Sequence, residues 1–359
     1  MSINDCAVQI IEHLSNTQFR AKKEELQKIY GDKRVSDLPL VVLCIAGAAR
    51  KGKSFMLNFF LDYLIHKEKY PTKPWQINDA TSLAGFEFRD GEDRTTLGIW
   101  AWNHVFIIEQ GDGTKVGVSL DLVFIIRDFC FKKYLDDENG GQMYIDKVLC
   151  DVKVEQLQQL RDGLNASYER KFGFVFPHPG EKVALEKTSN IVDMNPKFVY
   201  RAKEMVEALL SPSELQIKRV GPSVMYCKNM CDYISLCVKC FDDNQHFAPK
   251  AVQAVNRDFM FNLEVSRACE AYDILMEKAF VNCDSGYAKD KFAALHNKVF
   301  QQIQNDIVKR IKDEGVVKEV TVKSVDQLLN IFTKYKEKND LLVEQEKKRL
   351  QIIEEKRRH

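Results

Sequence analysis

The chain has 359 residues, 45% of them hydrophobic and 29% charged, with 53 Lys and Arg set against 52 Asp and Glu. That length and apolar content support two domains, or one large domain with an appended helical piece, and exclude a collagenous, mini-protein or wholly disordered chain. The cancelled charge leaves no global field for nucleic acid or anionic lipid, so any such binding would have to be local. The longest apolar run, 38–49, contains Pro39 and falls well short of the ~20 residues that cross a bilayer. The opening residues, Met1 to Asp5, carry neither a basic region nor an apolar core, so secretion by a signal peptide is not expected and an intracellular protein is. In a reducing compartment the ten cysteines read as small buried hydrophobes.

In chain order, the pattern begins with a short strand at 7–11, a polar helix at 19–30 and a strand at 40–46. The last run is apolar throughout, as expected of a strand covered on both faces in a mostly parallel sheet. A helix at 54–66 follows, with Phe55, Met56, Phe59, Phe60, Tyr63 and Leu64 at helical spacing. Strands are expected over 99–108 and 116–126, around the hairpin signal Gln110-Gly111-Asp112-Gly113. A polar loop at 136–141, a strand at 172–176 and the turn Pro177-His178-Pro179-Gly180 complete an α/β region placed at 1–225. Beyond Pro222, Gly and Pro become scarce and helical periods run over 225–241, 252–282, 289–314 and 322–358. These predict an all-α bundle over 226–359, with the stripe Val325, Leu328, Leu329, Phe332 in its core.

Between strand 40–46 and helix 54–66 stands Gly47-Ala48-Ala49-Arg50-Lys51-Gly52-Lys53-Ser54, which satisfies G-x-x-x-x-G-K-[ST]. The chemistry needs these residue types. Glycines let main-chain N–H groups turn inward as an anion nest, Lys53 reaches the β- and γ-phosphates, and the Ser54 hydroxyl can ligate Mg²⁺. The pattern arises by chance in roughly one percent of chains this long, fewer once a strand must precede it and a helix follow. The competing reading is a glycine-rich βα turn with a solvated lysine. Arg50 can act as an arginine finger supplied in cis or simply face water, and spacing alone does not choose.

A phosphate loop that hydrolyses also needs a γ-phosphate sensor and an acid for the metal. Thr95-Thr96-Leu97-Gly98 follows the polar stretch Gly91-Glu92-Asp93-Arg94 as a switch loop would, yet these threonines equally suit the start of strand 99–108. The D-x-x-G pattern behind an apolar strand is missing; its sole match, Asp137-Glu138-Asn139-Gly140, falls in a loop. The N/T-K-x-D pattern for guanine is also missing. Arg127-Asp128 instead ends the apolar strand 122–126, where open α/β sheets place ligand contacts. A carboxylate there can accept from guanine N1 and N2, although an Asp after a strand is as often a helix cap.

Together these residues resemble the atlastin branch of the dynamin-like GTPases, related to the guanylate-binding proteins. The likeness runs from Gly47–Phe55 through Gly85-Phe86, Arg94-Thr95-Thr96-Leu97-Gly98-Ile99, Arg127-Asp128, 176–180 and Leu209-Leu210-Ser211-Pro212, and the region from about 228 onward is similar to the family's three-helix middle domain. It implies an α/β phosphate-loop domain of the guanylate-binding type followed by a helical bundle. It further implies that Gly47, Arg50, Lys51, Gly52, Lys53, Ser54 and Phe55 hold GTP or GDP, with Ser54 and Thr96 on Mg²⁺. By the same resemblance Arg50 and Thr96 are catalytic, Arg127 and Asp128 read guanine, and His178 belongs to the cap beside the base. Homodimerisation through both domains and fusion of endoplasmic reticulum membranes are the family's associated activities.

Two departures stand against it. The family's strand corresponding to Lys115-Val116-Gly117-Val118 continues into D-T-Q-G and further elements, whereas here Val118 passes through Ser119-Leu120 directly to the Arg127-Asp128 strand, as if about 60 residues carrying switch two were removed. Hydrolysis is expected to be impaired, and the alternative is a non-catalytic interaction module. Secondly, membrane-fusing relatives carry a transmembrane hairpin after the middle domain, where this sequence ends in Lys356-Arg357-Arg358-His359; a cytoplasmic chain, peripheral to the reticulum at most, is expected. Cys227, Cys231, Cys237 and Cys240, with His246 nearby, suggest zinc, but Met225, Tyr226, Met230, Ile234 and Leu236 interleave at helical spacing and favour a buried helix.

Overall fold

The computed structural model describes residues 5–15, 18–48, 51–87, 98–109, 115–116, 122–150, 158, 161–162, 171–186, 188–220, 223–243, 249–281, 283–311 and 314–358. It divides into two compact units, residues 1–219 with 224–246, and residues 220–223 with 247–359.

In the first unit, β1 (Ala7–Ser15) pairs antiparallel with β2 (Gln18–Ala21) on one side and β3 (Ile99–Trp102) on the other. The helix expected over 19–30 is therefore corrected at its start. Residues 18–21 join the sheet through Ile11↔Ala21, Glu12↔Arg20 and His13↔Phe19, and α1 is confined to Lys23–Tyr30, burying Leu26 and Ile29. A partner strand a few residues upstream outweighs weak helix propensity. The long strand expected over 99–108 is likewise split into β3 and β4 (Ile108–Glu109). β4 pairs antiparallel with β5 (Lys115–Val116), while Gln110 to Gly113 lie outside the described residues.

The expected strand at 40–46 is also corrected. Among the described residues only its first is tied by main-chain bonds: Leu40 N donates to Met225 O, and Lys218 N donates to Leu40 O. Val41 is buried and Leu43 and Ile45 pack on the core, whereas Cys44 and Ala46 are exposed. Among the described residues no neighbouring strand forms a ladder with 41–46. Parallel pairing is carried by β6 (Leu122–Ile126) and β7 (Lys171–Val175), in register from Leu122↔Lys171 to Ile126↔Val175. The α/β class thus stands with small sheets, and a helix occupies the centre.

That helix is α2 (Lys53–Lys69). Its Phe55, Met56, Phe59, Phe60 and Tyr63 are all buried, in one cluster with Trp75, Phe176, Phe198 and Met205. Apolar residues on several faces are what a helix shows when enclosed by other elements. Behind β6 come α3 (Lys132–Leu135) and α4 (Gly140–Cys150). α4 meets β7 through two glycines, since a Cβ at Gly141 would stand 2.2 Å from Gly173 O and one at Gly173 would stand 2.5 Å from Gly141 O. Next are α5 (Glu181–Leu185) and α6 (Pro196–Leu210), the latter capped by Asn195, whose side chain accepts from Lys197 N at 3.0 Å, with Pro196 at its first position. α7 (Met230–Asp243) carries Cys231, Cys237 and Cys240 along a continuous helix and belongs to this unit; Asp242 Oδ1 accepts from Phe19 N at 2.9 Å.

A pH-sensitive pair closes the far end of α2. His104 Nε2 lies 2.9 Å from Glu68 Oε1, which also accepts from Ile107 N. The Glu68 hydrogen bond outweighs burial and raises His104. Burial pushes Glu68 up, but its bonds and the His104 charge hold it below the usual carboxylate range. The histidine's contribution to stability is complete below its unfolded value of about 6.5 and is lost as pH rises through the raised folded value; the glutamate's is lost as pH falls through its depressed one. His104→Gln is expected to flatten the change in Tm between pH 6 and 8, and an unchanged slope would refute this assignment.

In the second unit α8 (Pro249–Phe280), α9 (Lys289–Arg310) and α10 (Glu314–Arg358) enclose a core of Phe261, Tyr272, Met276, Phe280, Phe292, Ile303, Ile307, Leu328 and Tyr335. The expected stripe is only half inside. Leu328 is buried and Phe332 packs on the core, but Val325 is 43% and Leu329 57% exposed, because the helical turn carries that pair off the inward face. Buried Asn339 fixes the turn before α9, its Oδ1 accepting from Tyr287 N and its Nδ2 donating to Tyr287 O.

Candidate functional site

Gly47 has φ +150° and Gly52, the residue before α2, has φ +71°, the left-handed turn that a side chain resists. Gly52 offers no capping side chain, and α2 has no acidic residue in its first turn. The amides and positive dipole end of the helix are thus not neutralised by a carboxylate from its own first turn. Lys53 curls back over the loop, its Nζ donating to Gly47 O at 3.0 Å and Ala48 O at 2.7 Å. The lysine thus ties the helix start back to the two residues that open the turn. Ser54 is half-buried at the helix start, Lys51 is exposed, and the Phe55 ring lies in the core, so Phe55 can meet a ligand only through its main chain. Arg50 and Thr96 lie outside the described residues.

The ends of β6 and β7 lie side by side. Phe176 N donates to Ile126 O at 2.8 Å, and Phe129 N donates to Phe176 O at 2.9 Å. Parallel register thus brings Arg127-Asp128 next to 177–180, at the carboxyl edge where open α/β sheets bind ligands. Asp128 adopts φ +55°, alone among the described non-glycine residues, and its carboxylate is exposed. Such conformations cost energy and concentrate at functional sites. The Arg127 guanidinium reaches Gly52 in the loop before α2, close enough that a Cβ there would stand 2.2 Å from its Nη1. His178 Nδ1 accepts from Gly180 N at 3.2 Å, and Asn195 holds the turn through His178 O and Pro179 O. With Nδ1 accepting, neutral His178 carries its proton on Nε2.

Two positioning residues escaped the sequence reading. Asn58, 1% exposed on α2, accepts from Phe86 N at 2.7 Å and donates to Phe86 O at 3.1 Å. It pins the chain just before the stretch carrying Thr95 and Thr96. That stretch ends at Gly98, where a Cβ would stand 2.1 Å from Ile11 O. Arg201 of α6 is the other. It donates to Leu135 O and Asp137 O and pairs with Glu204 Oε2 at 2.6 Å, bracing the turn that follows β6. The signal for Asn58 was a lone amide among the apolar residues from Phe55 to Leu61; Arg201, on a helix with several charged residues, gave none. The Asp137-Glu138-Asn139-Gly140 match forms a turn leading into α4, with Asn139 N donating to Asp137 Oδ1.

Asn58→Ala strands both polar groups of Phe86 in a half-buried setting. It is expected to cost about 2–3 kcal/mol, read as a lowered denaturation midpoint. A loss under about 0.5 kcal/mol, the range of ordinary surface changes, would show that water replaces the amide.

The profile of the family described as guanylate-binding protein, N-terminal domain, matches residues 16–121 and 110–219. The chain belongs to this family. The match comes in two stretches that overlap over residues 110–121. The chain is similar to Atlastin-2 of Homo sapiens, 26% identical over 346 residues that take in 76% of this chain and 59% of that protein. Similar too are Atlastin-1 of Bos taurus, 23% identical across 76% of this chain and 61% of its own length, and Atlastin-2 of Xenopus laevis, 25% identical across 75% and 59%. By these likenesses it is an atlastin-like, dynamin-related family member, spanning about 60% of the length of those relatives. Among the described residues no helix is long and apolar enough to cross a membrane.

Proposed function

We propose that this chain binds GTP and GDP as an atlastin-type G domain with its hydrolytic machinery depleted. The observation that carries this is the Lys53 ammonium bridging Gly47 O and Ala48 O at the uncapped start of α2, with the end of β6 against the same loop. In this reading Lys53 moves onto the β/γ-phosphates, the loop amides from Gly47 to Phe55 cradle them, and Asp128 accepts from the base, with His178 in the neighbouring cap. Ser54 supplies one hydroxyl to Mg²⁺ and Thr96 a second. With no D-x-x-G aspartate behind it, the ion would keep mostly phosphate and water ligands, which its preference for oxygen donors and retained waters permits. Arg50 would serve as the finger in cis. Nucleotide-driven pairing of two copies and residence at the endoplasmic reticulum surface follow from the resemblance and belong to the same proposal.

Calorimetry with Mg²⁺ and GTP, paired with phosphate release, tests it. Saturable binding is expected, with release no faster than about 10⁻² s⁻¹, the scale of an unassisted cis-arginine G domain, and slower still in Arg50→Ala. Release of several per second would overturn the depleted machinery. Absence of any binding would leave the interaction module, which the missing D-x-x-G favours.

A further inference from the structure

We propose that Arg127 serves the phosphate loop and not the base, leaving Asp128 to distinguish guanine; this rests on the nucleotide-binding reading above. The guanidinium occupies the side-chain-free flank of Gly52. A Cβ built there would stand 2.2 Å from Nη1, 3.2 Å from Cζ and 3.8 Å from Nε, so the tip of the fork meets the loop. The side chain is 20% exposed, its Nε is buried with no hydrogen-bond partner, and Nη2 lies 3.7 Å from Asp128 Oδ1, too far for a hydrogen bond. Asp128 therefore holds Arg127 only through a long ion pair, and the tip of the fork packs on Gly52.

The local chain explains the division. Main-chain bonds fix Ile126 and Phe129 to Phe176, and between them Asp128 takes its left-handed conformation. Arg127 is directed to Gly52 while the Asp128 carboxylate is left in solvent. The chemistry agrees. Guanine N1 and N2 are donors, and a guanidinium, which only donates, cannot pair with them, whereas a carboxylate can. An arginine could pair with O6 and N7 instead, but its tip is engaged at the loop. There it braces the strained turn opening α2 and keeps a positive charge beside the phosphates. Gly52 is thus required twice, for its φ and for the guanidinium that fills the place of a side chain.

A thermal double-mutant cycle on the nucleotide-free protein tests the packing. Gly52→Ala and Arg127→Ala should each lower Tm, and the double variant should lose less than their sum by about 2 °C or more, since the clash vanishes with the arginine. Strict additivity would overturn the proposal. Titration with GTP and with 7-deaza-GTP, which lacks the N7 acceptor, tests the role. Arg127→Ala is expected to weaken both about tenfold and equally, as loss of one charged contact does. A larger loss for GTP than for its analogue, or no loss, would overturn it. Should the parent protein bind neither nucleotide, the functional reading fails while the cycle still decides the packing.

Discussion

Replacing Lys53 with alanine is expected to lower GTP affinity on the order of a hundredfold while leaving the melting temperature of the nucleotide-free protein nearly unchanged. The two effects separate because the ammonium has different work in each state. Without ligand it donates to Gly47 O and Ala48 O, carbonyls in an exposed loop that water can satisfy when the lysine is gone. The cost to folding should stay within roughly 0.5 kcal/mol, as for ordinary surface changes. With nucleotide bound, the same ammonium would meet several phosphate oxygens at once, and charge-assisted contacts are the strong ones. Calorimetry with Mg²⁺ and GTP reads the first quantity and thermal unfolding the second. Equal affinity in both proteins would remove the phosphate-loop reading at its root, and a large fall in Tm would mean that Lys53 is chiefly structural.

The largest stability loss is expected in the helical unit from Glu264→Ala. Glu264, on α8, is 2% exposed. Its Oε1 accepts from Arg267 Nη1 at 2.6 Å and Ser223 Oγ at 3.2 Å, and its Oε2 accepts from Arg310 Nε on α9 at 3.0 Å. Truncation leaves two guanidinium groups without their shared anion and a hydroxyl without its acceptor. Breaking a buried pair from one side costs about 3–5 kcal/mol, and because Arg310 reaches solvent the lower end applies. Urea unfolding followed by far-ultraviolet circular dichroism should show the α8–α10 transition at a markedly lower midpoint. Glu264→Gln, which keeps shape and hydrogen-bonding capacity, should recover part of the loss. If the two variants unfold alike, the charge matters and the retained shape does not. If neither shifts the midpoint, water satisfies the arginines and the cluster contributes little.

Much of this molecule could be read before any coordinate. The G-x-x-x-x-G-K-[ST] pattern at 47–54 is contiguous in sequence, so a window of eight residues displays it, and the turn before α2 at Gly52 stands where it places it. α2, α8, α9 and α10 follow from apolar spacing, because a helix satisfies its own hydrogen bonds and needs neighbours only to cover a face. The strand ending at Arg127-Asp128 and the turn at 177–180 were legible for similar local reasons.

What failed is what depends on partners far along the chain. The run 40–46 has the composition of an interior strand, but a strand exists only where another lies beside it, and no ladder forms there among the described residues. Gln18–Ala21 became a strand because β1 was available to pair with it. The tertiary structure alone decided that Asn58 grips Phe86, that Arg201 braces the turn after β6, that Glu264 is shared between two helices, and that the guanidinium of Arg127 rests on Gly52. Sequence by itself determined which groups are on offer: the glycines, lysines and serine of 47–54 and the arginine and aspartate that follow the strand 122–126. Only the folded chain determined which of these groups meet, since hydrogen bonds and ion pairs act over a few ångströms and spacing along a sequence does not measure distance in space.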